Sequence, residues 1–279
     1  MRLGGLIKEK VSDADSWIAA IKKRGFSAAF CPHIGSGADH EKIRAHAEAA
    51  VEADIIIAEV IAWCNPLSPD EEERLESVER CEWGLELADR IGARCCLSSA
   101  GSPGHNWDGP DGINLTDDTF DLTVESVRSI IDAVKPTRTF YTVEVMPWIY
   151  PDSADSYLRL IKAIDRKQFG AHFDPVNLVY SPQIYYNNGA MIRDFVSKLG
   201  THIKSCHAKD TLLGQELTTH IDEVRAGLGN LDYTTLLREL DNLGPDMPLM
   251  IEHLKTDEDV ALAAKYIRSV AKSAGVEIR

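Results

Sequence analysis

Four side chains able to hold a cation stand at the ends of four short apolar runs in the second half of the chain. They are Glu144 in TVEVMPW, Asp174 in HFDPVN, His207 in SCHAKD and Glu252 in MIEHL. Side chains alternate between the two faces of a strand. Thr142 therefore falls with Glu144, His172 with Asp174, Ser205 with His207, and Met250 with Glu252. If the runs are neighbouring strands, all four ligands project toward one point beyond the strand ends. Three carboxylates and one imidazole form a mixed hard and borderline donor set. It suits one divalent ion, Mn²⁺ first and Mg²⁺ or Co²⁺ next, better than zinc held by thiolates. Taken singly, a strand-end Glu is ordinarily a salt-bridge partner or a helix-cap acceptor, and a lone His a satisfied core residue. Four such residues ending four consecutive runs point to a metal instead. His172 faces the same way as Asp174 but one residue pair deeper, which places it behind the ligands or against a substrate.

A carbon-bound proton beside a carbonyl is only weakly acidic in water, and a chelated divalent cation stabilises the enediolate that forms when it leaves. Glu144 and Glu252 would approach from different strands, as an acid/base pair must, and both are expected to serve as ligand and proton carrier. Return of the proton to the opposite face inverts a centre; its movement between carbons interconverts aldose and ketose. The same abstraction followed by loss of a leaving group makes the enzyme a lyase or dehydratase, for example on a 3-keto-glycoside. Arg225 precedes the turn Gly227-Leu228-Gly229, where small residues let backbone approach a ligand. It is a candidate for substrate binding, and the competing reading is a surface salt bridge with Asp222 or Glu223. Lys209 could reach substrate or pair with a carboxylate, while Asp210 reads as orienting a neighbour or capping a loop rather than binding metal. His105 and Trp107 sit in the polar stretch AGSPGHNWDGPDGINLT and are expected to touch substrate from there.

The elements that would position these groups repeat along the chain: a short apolar run, a loop, then an amphipathic stretch. The runs are Leu3–Ile7, Phe26–Cys31, Asp54–Val60, Ala93–Ser98, Thr139–Val145, Phe169–Phe173, His202–His207 and Pro248–Glu252. The spacing predicts helices near Asp13–Arg24, Asp39–Ala53, Pro69–Ile91, Asp117–Val134, Ser153–Arg166, Gly189–Leu199, Leu231–Leu243 and Asp257–Ala274. Several open on capping residues, such as Asp70, Thr116 and Ser153. Eight alternating pairs are the count of a single (β/α)8 TIM barrel spanning residues 1–279, with sites built from loops at the strand C-termini. An open doubly wound sheet would usually carry a phosphate loop after its first strand; GGLIKEK lies on the strand and lacks GxGxxG, so no nucleotide cofactor is expected. Long connections at Ala100–Thr116 and Thr211–Asn230 are expected to serve as lids or substrate contacts.

Composition narrows the partners. The chain has 279 residues, 44% of them hydrophobic, and a net charge of −14. Such an acidic balance disfavours nucleic acid and anionic membrane. No apolar run approaches the roughly 18 residues of a membrane span, and the N-terminus lacks an apolar signal segment. Six cysteines without CxxC spacing read as reduced, buried thiols. A cytoplasmic enzyme acting on a small molecule, unphosphorylated for want of a basic phosphate cradle, is the expectation.

On the four ligand motifs together with His207-Ala208-Lys209-Asp210, Arg225-Ala226-Gly227-Leu228-Gly229 and Asp232-Tyr233, the chain resembles the sugar isomerase/epimerase superfamily of xylose-isomerase-like TIM barrels over essentially its whole length. The tagatose/psicose 3-epimerases belong there, and the endonuclease IV DNA-repair enzymes share the fold. The resemblance implies that Glu144, Asp174, His207 and Glu252 bind one divalent metal. It also implies that the two glutamates form the acid/base pair, and it tips Arg225 toward substrate binding. That the small molecule is a sugar, and that the chain forms a homo-oligomer, is likewise what the resemblance implies. The chain departs from the pattern three residues after the metal-binding Asp. The epimerases usually place a substrate-contacting His there, and this chain has Asn177, which can hydrogen-bond a hydroxyl but cannot titrate near neutrality. Both the substrate and the reaction are therefore open to differ from ketohexose 3-epimerisation. A DNA phosphodiesterase would need many more His ligands and a basic face, and a non-catalytic sugar-binding barrel would not need intact acidic ligands.

Overall fold

Eight apolar runs form strands that pair in parallel and close on themselves. The structure, a computed structural model, describes residues 1–35, Gly37 and residues 39–279. The strands in chain order are β1 (Arg2–Gly5), β2 (Ala28–Phe30), β3 (Ile56–Ile61), β4 (Cys95–Ser98), β5 (Phe140–Glu144), β6 (Phe169–Phe173), β7 (Ile203–Ala208), β8 (Asp210–Leu213), β9 (Ile221–Val224) and β10 (Pro248–Ile251). The barrel runs β1-β10-β7-β6-β5-β4-β3-β2, while β8 and β9 form a separate antiparallel hairpin. Helices α1 (Ala14–Lys23), α2 (His40–Glu52), α3 (Glu71–Ile91), α4 (Asp117–Val134), α5 (Ala154–Ile164), the short α6 (Pro182–Tyr185), α7 (Asn188–Leu199), α8 (Tyr233–Asp241) and α9 (Asp257–Ala274) complete the chain. This is the eightfold alternation expected from the sequence. The differences are the short α6, which the spacing does not predict, and Thr211–Asn230, read as a long loop, whose first part folds into the β8–β9 hairpin.

Local chemistry sets the helix ends. Asp13, Asp70, Thr116, Ser153 and Thr256 each accept a backbone N–H in the first turn of the helix that follows. Satisfying such an orphan donor is worth about 1 kcal/mol. Gly92 and Gly275 end α3 and α9 in the left-handed conformation that glycine adopts freely. Between the helices and the barrel lies the main core, where Trp17, Leu85, Ile130, Leu160, Phe195, Leu236 and Ile267 are buried. Inside the barrel a smaller apolar cluster joins Ala28, Phe30, Ala58 and Met250. The glycine pair in β1 serves that interior. A Cβ on Gly4 would stand 2.5 Å from the Ala28 carbonyl oxygen and 2.7 Å from the Met250 sulfur, so no larger residue fits without moving the sheet.

Two irregularities matter for the site. Between β2 and β3, Ala29 pairs with Ile57 but Phe30 pairs with Glu59, so Ala58 is an extra, bulged residue. Between β6 and β7, Ala171 pairs with Ile203 and His172 with Ser205. Bulges interrupt alternation and re-aim the side chains beside them. Near the second of these, Tyr157 of α5 passes its ring under the sheet. Its hydroxyl donates to the Val143 carbonyl at 2.6 Å, lies 3.2 Å from the Gly170 carbonyl, and accepts the His172 N–H at 3.1 Å. Tyr157→Phe would strand these buried groups and should lower unfolding free energy by about 1–3 kcal/mol, read from the shift in urea midpoint.

Candidate metal and active site

Glu144 ends β5, Asp174 follows β6, His207 lies near the end of β7, and Glu252 follows β10. Those four strands are consecutive around the barrel. The arrangement brings one ligand atom from each residue within 4.8 Å of the others, all of them buried. His207 Nδ1 lies 3.2 Å from Glu144 Oε1, 3.7 Å from Asp174 Oδ2 and 2.8 Å from Glu252 Oε1. Oxygen and nitrogen donors around a hard cation at about 2.1 Å are themselves about 3 Å apart, so the spacing fits a divalent ion. The charge state fits as well. Asp174 Oδ2 and Glu252 Oε1 are buried and make no well-directed hydrogen bond. The nearest group to both is the Lys209 ammonium, at 2.7 and 2.5 Å. These are ion-pair contacts of unfavourable hydrogen-bond geometry, and they show a positive charge drawn to the place where the carboxylates converge.

The electrostatics follow from burying so many charges together. Burial raises the Glu144 carboxyl above its ordinary pKa. Burial would do the same to Glu252, but His207 and Lys209 outweigh it and bring the group down to about 2. Asp174, also opposed by burial, is held well below the usual carboxylate range by Lys209 and His207. Burial works against the charged forms of His207 and Lys209, yet the surrounding carboxylates raise both well above their ordinary values.

A second group stands directly behind the first. Glu59 of β3 is fully buried, and its carboxylate meets His172 Nε2 and His207 Nε2, each at 3.2 Å, and accepts the Ser205 hydroxyl. Gripping His207 at Nε2 leaves Nδ1 as the atom turned to Glu144, Asp174 and Glu252, the usual way a carboxylate fixes a ligating imidazole. The strand alternation expected in IIIAEVIAW is broken by the bulge at Ala58, and Glu59 lies beside that bulge with its side chain inside the barrel. The available signal was a lone carboxylate in the middle of an apolar strand, which is rarely buried without a partner.

The remaining residues singled out in the sequence divide into those at the site and those away from it. The mouth of the barrel holds a cavity of about 470 Å³ whose lining includes Glu144, Asn177, His207, Lys209, Glu252 and Trp148. Asn177 Nδ2 donates to Glu144 Oε1 and to the Val145 carbonyl, both at 3.1 Å. His172 is fully buried below the cavity and does not line it. Arg225 pairs at 3.5 Å with Asp259, rather than with Asp222 or Glu223, and does not line the cavity. His105 and Trp107 do not line it either; their neighbour Asp108 does, accepting the Trp63 Nε1–H at 3.3 Å. Asp210 is a loop cap, as expected. Its carboxylate accepts the N–H groups of Thr211, Gly227 and Leu231. Unforeseen is Glu223, which β9 carries to 3.4 Å from Lys209 Nζ and 3.1 Å from His253 Nδ1. A larger groove of about 600 Å³ lies at the opposite barrel end, where mostly aliphatic residues of α2 and the strand starts line it.

A closed parallel barrel with flanking helices makes this a (β/α)8 barrel, and the carboxylates and imidazole at its C-terminal mouth are a candidate cation site. More particularly, residues 10–270 match the family described as xylose isomerase-like TIM barrel, and the chain belongs to that family. No curated protein matches its sequence. Among solved structures, a D-tagatose 3-epimerase-like protein superposes with a TM-score of 0.72 at 22% identity, covering 99% of this chain and 98% of that one. A xylose isomerase-like TIM barrel protein from Mycobacterium smegmatis in complex with magnesium gives 0.65 at 19% identity, covering 97% and 92%. The probable 3-DHS dehydratase AsbF from Bacillus anthracis gives 0.69 at 14% identity, covering 96% and 98%. Identities this low establish a shared fold.

Two outcomes follow from the geometry. Glu59→Gln keeps the shape but removes the charge that orients His207, and Mn²⁺ affinity measured by calorimetry should fall about 10- to 100-fold with the fold retained. Cation binding must displace protons from His207 and the carboxylates, so Mn²⁺ affinity should drop as pH falls. Titrations in buffers of different ionisation enthalpy should report proton release.

Proposed function

We propose that the protein is a divalent-metal-dependent sugar isomerase or epimerase that enolises a carbonyl sugar at the barrel mouth. The observation that carries this reading is the convergence of Glu144, Asp174, His207 and Glu252 from four adjacent strands, with two buried carboxylate oxygens turned to a positive charge. Family membership and an epimerase-like structural neighbour support it. These four residues would hold the ion, Mn²⁺ by preference, and the magnesium complex of one neighbour agrees with a hard divalent cation. When bound, the ion would stabilise negative charge on the substrate oxygen as a neighbouring C–H is deprotonated.

Glu144 and Glu252 belong to the first and last of the four strands, so their carboxylates reach the cavity from the two ends of that arc. One removes the proton and the other returns it, which is what inversion of a centre requires. Asn177 holds Glu144 by its Oε1, and Asp174 is anchored from behind by the Val176 N–H at 3.0 Å. Lys209 balances the carboxylates and lies within reach of a substrate oxygen. The chain is read as one catalytic unit, and its six free cysteines suit a reducing, cytoplasmic setting.

Elimination is the second reading, and particular contacts favour it. Arg225 is turned to Asp259, and Asn177 is engaged by Glu144 and Val145, so neither stands free where the epimerase resemblance would have it bind hydroxyls. The two chemistries share proton abstraction and differ in the fate of the carbanion. Incubating metal-loaded protein with ketoses and keto-glycosides in D₂O should place deuterium at one carbon. Product analysis then separates epimer from released leaving group. Glu144→Gln and Glu252→Gln should each lower turnover about 10²- to 10⁴-fold while leaving the fold intact. Absence of exchange with every member of the panel would overturn the proposal.

A further inference from the structure

The cavity wall is divided by strand. Most ionic side chains come from β5, β7, β9, β10 and the residues just beyond them, alongside the apolar Met146 and Trp148. The strands β1 to β4 and their ends contribute Leu6, Phe30, Ile61, Trp63 and Leu97, with Asp108 of the loop after β4 as the one charged group on that side among the described residues. Phe30 and Leu97 are buried and top the barrel core, whereas the strand-end residues beside them stay open. Ile61 ends β3 with 48% of its surface exposed, and Trp63 is only partly buried, its Nε1 tied to Asp108. Apolar surface left open beside a cluster of charged groups is the usual make-up of a small-molecule site, in which an apolar wall takes most of the ligand and a few polar groups orient it.

The charges say what this wall does not accept. Lys209 is the only lysine or arginine among the described residues lining the cavity, and it already faces Glu144, Asp174, Glu223 and Glu252. Asp108, Glu144, Glu223 and Glu252 make the lining acidic. A phosphate or carboxylate on the substrate would meet like charge without a free cationic fork to receive it.

Resting on the enolisation reading above, we propose that the substrate is a neutral carbonyl glycoside carrying an aryl aglycone. Its sugar ring lies at the ionic half of the mouth, and its aromatic ring lies on the β1–β4 wall against Trp63, Ile61 and Phe30. Offset stacking on Trp63 and burial of the Ile61 side chain supply the preference for an aromatic group over a small alkyl one.

The test is binding to the full chain loaded with Mg²⁺, by calorimetry, using 4-nitrophenyl β-D-glucoside, methyl β-D-glucoside and glucose 6-phosphate. The nitrophenyl glucoside should bind at least tenfold tighter than the methyl glucoside, and glucose 6-phosphate more weakly than either. Ile61→Ser and, independently, Trp63→Ala should each bring the two glucosides within about threefold of one another while Mg²⁺ affinity is unchanged. Equal affinity for both glucosides in the unaltered protein, a preference that survives both substitutions, or tightest binding by the phosphate ester would each overturn the proposal. Deuterium exchange separates this outcome from that of the chemistry. Aryl preference without any exchange leaves the subsite standing and removes the enolisation, whereas exchange without aryl preference does the reverse.

Discussion

Buried like charge is the constraint on which this structure depends. Three carboxylates converge on one point with their surfaces almost wholly removed from water. Each ion would lose several kcal/mol of hydration there if it stood alone. The barrel tolerates the arrangement only because positive charge stands in the same place: His207 and Lys209 within the protein, and a divalent ion in the function proposed for it. Much of the surrounding structure supports that balance. Glu59 holds the far side of His207, Asn177 steadies Glu144, Val176 anchors Asp174, and Glu223 on a hairpin outside the barrel adds a further partner for Lys209.

Division of labour within the barrel follows. Closing eight parallel strands gives a wall whose outer face is packed by helices and whose interior holds small and apolar side chains around Met250 beside the buried Glu59, His172 and Ser205. The C-terminal mouth is left to carry chemistry, as in other barrels of this kind. Neighbours that share the architecture have names as different as an epimerase-like protein and a probable dehydratase. A fold therefore does not decide a reaction; the side chains on the rim do.

The barrel was legible because its signals are local. Alternating apolar runs and capped amphipathic stretches place every barrel strand and every helix but the short α6 within a few residues, and strand ends pick out Glu144, Asp174, His207 and Glu252, which the structure brings together. What escaped the sequence depends on pairing across the sheet or on the path of a loop. Glu59 sits in a run that reads as ordinary buried strand, and only the register with β2 puts it among the histidines. Glu223 reaches Lys209 because β8 and β9 pair, and Thr211–Asn230 has no turn signature strong enough to announce a hairpin. In the loop after β4, residue types pointed to His105 and Trp107, but chain direction places Asp108 at the cavity. Arg225 shows a further limit: the turn it precedes was readable, and its partner Asp259 lies on a helix far along the chain.

The extra residue at Ala58 also bears on how this chain can change in length. A strand has a period of two, so losing one residue exchanges its faces. The bulge sets Ala58 and Glu59 side by side in the interior while Ile57 and Val60 keep to the outer core, and one residue lost beyond it, such as Val60, would swing Ile61 from the cavity to the outer face without altering any ligand. Loops at either end of the barrel can gain or lose residues at modest cost. This strand cannot. Its length is as much a part of the site as any side chain that lines it.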